Sequence, residues 1–120
     1  TITLTAMCAA PSTTSSATET YATGDVISGL EGAGSLSGQE VWIKVVSIVA
    51  SSPSANSYRA TLELYNENGE LVDSDTVSTD AQLNNVFIDS SGNSLLKTPI
   101  AVNKIYVDAQ TIIGYIEITK

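Results

Sequence analysis

Tyr58-Arg-Ala-Thr-Leu-Glu-Leu-Tyr65, Asn66-Glu-Asn-Gly-Glu70 and Leu71-Val-Asp-Ser-Asp-Thr-Val77 run consecutively and decide the fold. The first part alternates: Ala60, Leu62 and Leu64 point one way, Arg59, Thr61, Glu63 and Tyr65 the other. A period of two marks a strand with one buried face. Asn68-Gly69 offers two residues that accept positive φ, so the chain turns back there. Leu71–Val77 then returns as the second arm of a hairpin.

Working outward, the same signal recurs on both sides. Val41–Ala50 is the most apolar strand, with Val41, Ile43, Val45 and Val49 on one face and Trp42, Lys44, Val46 and Ile48 on the other. Apolar residues on both faces predict a central strand covered on both sides for part of its length. Ser51–Ser57 is a loop by its turn chemistry. Downstream, Asn85–Asp89 reads as a short strand with Val86 and Ile88 together, and Asp89–Asn93 as a turn. Leu95–Val102 contains Pro99, which suits an edge strand or a connecting arm. Asn103–Asp108 is a strand with Ile105 and Val107 inward, and Thr111–Thr119 closes the chain with Ile112, Gly114, Ile116 and Ile118 on one face. Upstream, Ser28–Gly38 holds half of the eight glycines and reads as a connection between sheets, tucked down by Leu30 and Leu36. Thr18–Ala22 reads as a further short strand.

Roughly eight to ten short strands with regular turns, and no sustained helical period, predict an all-β chain. The expected fold is an antiparallel β-sandwich, jelly-roll-like. Its expected organisation is an N-terminal strand at 1–8, a Ser/Thr-rich tether at 9–24 and a sandwich body at 25–120.

The N-terminal strand, Thr1-Ile-Thr-Leu-Thr-Ala-Met-Cys8, alternates strictly. Ile2, Leu4, Ala6 and Cys8 share one face and threonines dominate the other. Pro11 ends it, because proline donates no ladder hydrogen bond. A strand on a tether is available for exchange between subunits, pairing with a neighbour's body as readily as with its own. The chain opens on Thr1, as a mature product does after signal-peptide removal. With few Lys and Arg and many Ser and Thr, this sets the expectation of a secreted, cell-surface protein. Cys8 is the only cysteine and fits a small buried hydrophobe.

Composition excludes several function classes. Five Lys and Arg stand against 13 acidic residues, for a formal net charge of −8. Nucleic-acid binding needs clustered cations, and these are scattered. No apolar run approaches the ~20 residues of a spanning helix, so no helical membrane insertion is expected. The chain contains no histidine, which removes the usual general base and the commonest metal ligand. Glu63, Glu117 and Asp108 are the carboxylates a glycosidase could pair, but a solvated sheet face accounts for them. The expectation is therefore no enzymatic activity and no cofactor other than calcium. Asp73 and Asp75 on one strand face, and Asp89 and Asn93 on one turn, supply hard oxygen ligands that suit Ca2+. No single loop offers the roughly 6–8 oxygens calcium takes, so such an ion would sit at a subunit interface.

A processed, acidic, Ser/Thr-rich β-sandwich with a tethered first strand resembles the subunits of archaeal extracellular filaments. These are the threads, bundling pili and cannulae assembled by donor-strand complementation, together with the related TasA-like biofilm fibres. The resemblance covers the layout of the whole chain. It implies a homopolymer, a filament or tube built head-to-tail, in which Ile2, Leu4, Ala6 and Cys8 complete the sheet of the next subunit. Two other classes share the sandwich. A carbohydrate-binding module would use glycans as partners and Trp42, Tyr58, Tyr65, Tyr106 and Tyr115 as its aromatics, with Tyr65 and Tyr115 on outward faces. A viral capsid or tail decoration protein is the third.

Overall fold

The computed structural model describes residues 18–50 and 57–120. The strand expected over Thr1–Cys8, with Ile2, Leu4, Ala6 and Cys8, lies outside the described residues, as do residues 9–17 of the tether expected at 9–24 and residues 51–56 of the expected loop. The elements are β1 (Thr18–Ala22), β2 (Val26–Glu31), β3 (Glu40–Ala50), β4 (Tyr58–Tyr65) and β5 (Leu71–Ser78), then a one-turn helix α1 (Leu83–Val86), β6 (Ala101–Val107) and β7 (Gly114–Thr119). They form two antiparallel sheets, ordered β1-β7-β6 and β2-β3-β4-β5. The larger sheet is a meander of consecutive strands, and the chain crosses between sheets after β1 and after β5.

The hairpin forms where expected, with one extra residue in β5 at Val72, between the pairs Tyr65↔Leu71 and Leu64↔Asp73. β4 and β5 pair antiparallel, with Leu62 opposite Asp75 and Leu64 opposite Asp73. The turn closes through the Asn66 N–H to the Glu70 carbonyl at 3.0 Å, with Gly69 at φ +81°. Ala60, Leu62 and Leu64 are fully buried. They share one core with Val41, Ile43 and Val45 of β3, and with Val102, Ile105, Ile116 and Ile118 of the other sheet. Each Val, Leu or Ile among them contributes roughly 1.5–3 kcal/mol by leaving water. Among the described residues the buried set contains no polar or charged side chain, and the one buried side-chain polar atom without a partner is the Asn84 Oδ1 of the one-turn helix.

β3 departs from simple alternation. Val45 pairs with Leu62, but Ser47 pairs with Thr61, so one extra residue sits in the strand at Val46. A bulge inverts the facing of everything beyond it. Ile48, opposite Ala60, packs on the core, while Val49, opposite Arg59, is 55% exposed. The expectation that Val49 faces in and Ile48 out is thus reversed, and the two apolar faces of β3 are one face displaced by a bulge. Gly114 lies under Ile48: a Cβ there would stand 2.6 Å from the Ile48 Cβ, so only glycine admits this approach of β7.

Three further expectations are corrected. The strand expected over Asn85–Asp89 is preceded and partly replaced by α1. One helical turn brings positions four apart onto one side, and Leu83 and Phe87 are both fully buried, leaving Ile88 outside. Ser28–Gly38 is not all connection, since β2 runs through Glu31 before a 3-10 turn at Gly34–Leu36. Leu30 and Leu36 are buried, as expected. The last strand begins at Gly114, and Ile112 projects from the preceding turn instead of facing inward. Thr18–Ala22 is β1, as expected, paired with β7 from Thr18↔Thr119 to Ala22↔Tyr115.

The connection from β5 to β6 closes one end of the sandwich. The Asp80 and Leu83 N–H groups reach the Val102 and Ile100 carbonyls at 2.8 Å each, and the Lys97 N–H reaches the Glu31 carbonyl at 2.9 Å. Thus tied to β6 and to the far end of β2, it buries Leu83, Phe87, Leu95, Leu96 and Ile100.

Candidate assembly surface

Two sheets leave four edges, and unpaired edges invite pairing with another chain. The edges are not alike. On β5, Asp73 and Asp75 lie opposite Leu64 and Leu62, hence on the core-ward side of the strand. Inward charge on an edge strand blocks further pairing. β2 is irregular between Ile27 and Leu30. Its last residue is occupied by Lys97 and by the Thr98 hydroxyl, which accepts the Glu31 N–H at 3.4 Å. The first part of β6 is taken by Asp80–Leu83.

The rest of β6 is open. The Asp108 N–H donates to the Ile113 carbonyl at 2.9 Å. Because bonded and non-bonded pairs alternate along an antiparallel ladder, Ile105 and Val107 turn their N–H and C=O groups away from β7. On β1 the same argument runs from the Thr23 N–H to the Gly114 carbonyl, 3.1 Å. It directs Thr18, Thr20 and Ala22 outward, and Asp25 satisfies Ala22 through both its N–H and its carboxylate.

A groove of about 510 Å³ adjoins the open part of β6, lined by Ala22, Thr23, Ser47, Ile48, Val107, Ile112, Ile113 and Gly114. It lies at the end where β1 passes into β2, opposite the closed end. Ile112 is 73% exposed and Ile113 41%. The turn that presents them is held by Asp108, whose Oδ1 accepts the N–H groups of Gln110 at 2.7 Å and Thr111 at 3.0 Å. Those backbone bonds, Thr111 foremost, hold the Asp108 carboxyl below the ordinary range. Ile112 closes the turn at φ +59°, donating its N–H to the Asp108 carbonyl at 2.8 Å.

The calcium candidates are only partly brought together. Asp73 and Asp89 line one shallow depression with Ser35 and Ile88, and neither Asp75 nor Asn93 is part of its lining. The Asp89 Oδ1 accepts the Ser91 and Asn93 N–H groups at 2.9 Å each, which closes its own turn. Among the described residues no group of three or more His, Cys, Asp or Glu gathers to hold a metal ion.

The aromatic residues form two separate pairs. Trp42 stacks on Tyr65 with ring centroids 6.3 Å apart, on the outer face of the larger sheet. Tyr106 stacks on Tyr115 at 5.4 Å on the outer face of the smaller one, with the Lys104 Nζ 4.7 Å from the Tyr106 centroid. Trp42 and Tyr106 therefore join Tyr65 and Tyr115 outside, while Tyr58 packs on the core. Glu63 accepts the Tyr65 hydroxyl at 2.6 Å. Glu63 and Glu117 lie on opposite outer faces and Asp108 in a turn, so the three carboxylates do not meet.

Among the described residues no helix is long and apolar enough to cross a membrane. Compared with family models, curated proteins and solved structures, the chain matches none.

Proposed function

We propose that this chain is a structural, non-catalytic subunit of an extracellular filament or tube. Each copy adds its Thr1–Cys8 strand to the body of the next, so that copies join head-to-tail into a homopolymer. The observation that carries this reading is the asymmetry of the edges. β5 carries inward charge, β2 is irregular, and β1 is covered at Ala22 but open at Thr18 and Thr20; the open end of β6 is the one that lies beside the exposed side chains of Ile112 and Ile113. β-augmentation needs both features, backbone groups to pair and pockets for alternate side chains. A head-to-tail contact that does not close on itself propagates into a fibre. On this reading the described strands gain an eighth from a neighbour, the number a jelly roll uses. A carbohydrate-binding module is the second reading, favoured by the exposed stacked pairs Trp42–Tyr65 and Tyr106–Tyr115.

Electron microscopy of the purified full chain is the test. Fibres are expected, and Leu4→Asp, which places a charge on the inserting face, should abolish them. Particles that stay monomeric at every concentration, or fibres unaffected by Leu4→Asp, contradict the proposal.

A further inference from the structure

We infer that the groove beside Ile112 is the receptor for Thr1–Cys8 of a second copy, an inference that rests on the filament reading above. Three independent observations converge on it.

The first is the meeting of apolar lining and open backbone. Val107 belongs both to the groove and to the unpaired part of β6. A strand laid along β6 would pair with Ile105 and Val107 while its alternate side chains faced the groove. Ile2 and Leu4 are spaced for that, two residues or about 6.8 Å apart along a strand.

The second is Ile112 itself. A β-branched residue at φ +59° occupies the left-handed region, where its Cβ crowds the backbone. That conformation costs roughly 1–2 kcal/mol relative to the right-handed one. Glycine or asparagine would avoid the cost. Within a single copy the strain brings little burial in return, since the side chain is 73% exposed. Covering by an apolar side chain of a neighbour supplies what is missing.

The third is charge. Copies of a chain with formal net charge −8 repel one another, and contact is favoured where no carboxylates meet. The groove lining contains no charged side chain, and neither does Thr1–Cys8. Residues 9–17 span at most about 30 Å, which also reaches the groove of the same copy. A self-filled monomer is therefore the rival outcome.

The test uses two full-length variants. Leu4→Asp spoils the strand and leaves the groove. Ile112→Asp spoils the groove and leaves the strand, and aspartate tolerates the left-handed region better than isoleucine. Light scattering coupled to size exclusion should show polymer for the unchanged chain and monomer for each variant alone. An equimolar mixture of the variants should give a dimer and stop there, because it contains one working strand and one working groove. If Ile112→Asp polymerises as the unchanged chain does, or the mixture stays monomeric, the receptor assignment is wrong while the filament reading stands. If the unchanged chain itself stays monomeric, both fall.

Discussion

The two ends of the sandwich carry connections rich in large aliphatic residues, and the two fare oppositely. At one end the Thr79–Ile100 connection buries Leu83, Phe87, Leu95, Leu96 and Ile100. At the other, the Asp108–Ile113 turn leaves Ile112 and Ile113 in water. Residue type does not explain the difference. The long connection is hydrogen-bonded to β6 and β2 through Asp80, Ala81 and Lys97, and these bonds press its side chains onto the core. The short turn is bonded to its own stem, at Asp108 and Ile113. A turn can be fully satisfied in its backbone and still present apolar side chains outward. The first end completes the core of a single copy, and the second is the one proposed to receive a partner.

The sharpest way to break this contrast is at the closed end. Phe87→Ala should destabilise the chain by about 3–5 kcal/mol in urea denaturation, because the ring is fully buried. A loss below about 1 kcal/mol would show that the connection is not part of the core.

At the open end the expected sign is the reverse. Ile112→Gly relieves left-handed strain of roughly 1–2 kcal/mol and gives back about 0.4–1 kcal/mol in unfolded-state entropy. Stability should change by about 1 kcal/mol or less, toward stabilisation, while assembly weakens. A large loss of stability would mean that Ile112 packs within its own copy.

The smallest effect concerns acid. Asp108 titrates below its unfolded value of about 3.9. Its contribution is therefore present above that value and is lost as pH falls through the folded pKa. Melting temperature followed from pH 5 to pH 2 should fall less steeply for Asp108→Ala than for the unchanged chain. Equal slopes would remove Asp108 as the clasp of the turn.

Much of this architecture is legible in the residues. The β4–β5 hairpin follows from alternation and Asn68-Gly69, but its register does not: an extra residue at Val72, between the pairs Tyr65↔Leu71 and Leu64↔Asp73, is what brings Asp73 and Asp75 beside Leu64 and Leu62. Their role as inward edge charges therefore comes from the bulge and not from the alternation. The bulge at Val46 leaves no trace, because Val45, Val46 and Ile48 all suit a strand. α1 was hidden for the opposite reason: Val86 and Ile88 mimic alternation, and the burial of Leu83 and Phe87 selects a helical turn. The strand proposed to insert, Thr1–Cys8, is marked by its period of two. Its proposed receptor does not, since Ala22, Ile48, Val107 and Ile112 meet only through long-range register.

Hydrogen exchange measured amide by amide, in dilute and in assembled protein, tests the contrast most directly. The Phe87 N–H donates to the Leu83 carbonyl at 3.1 Å within the closed end. It should be protected in both states. The Ile105 and Val107 amides should exchange quickly in dilute protein and become protected on assembly. Protection of Ile105 and Val107 that is already complete in the monomer, or rapid exchange that persists in the assembled state, would contradict the claim that β6 waits for a second copy.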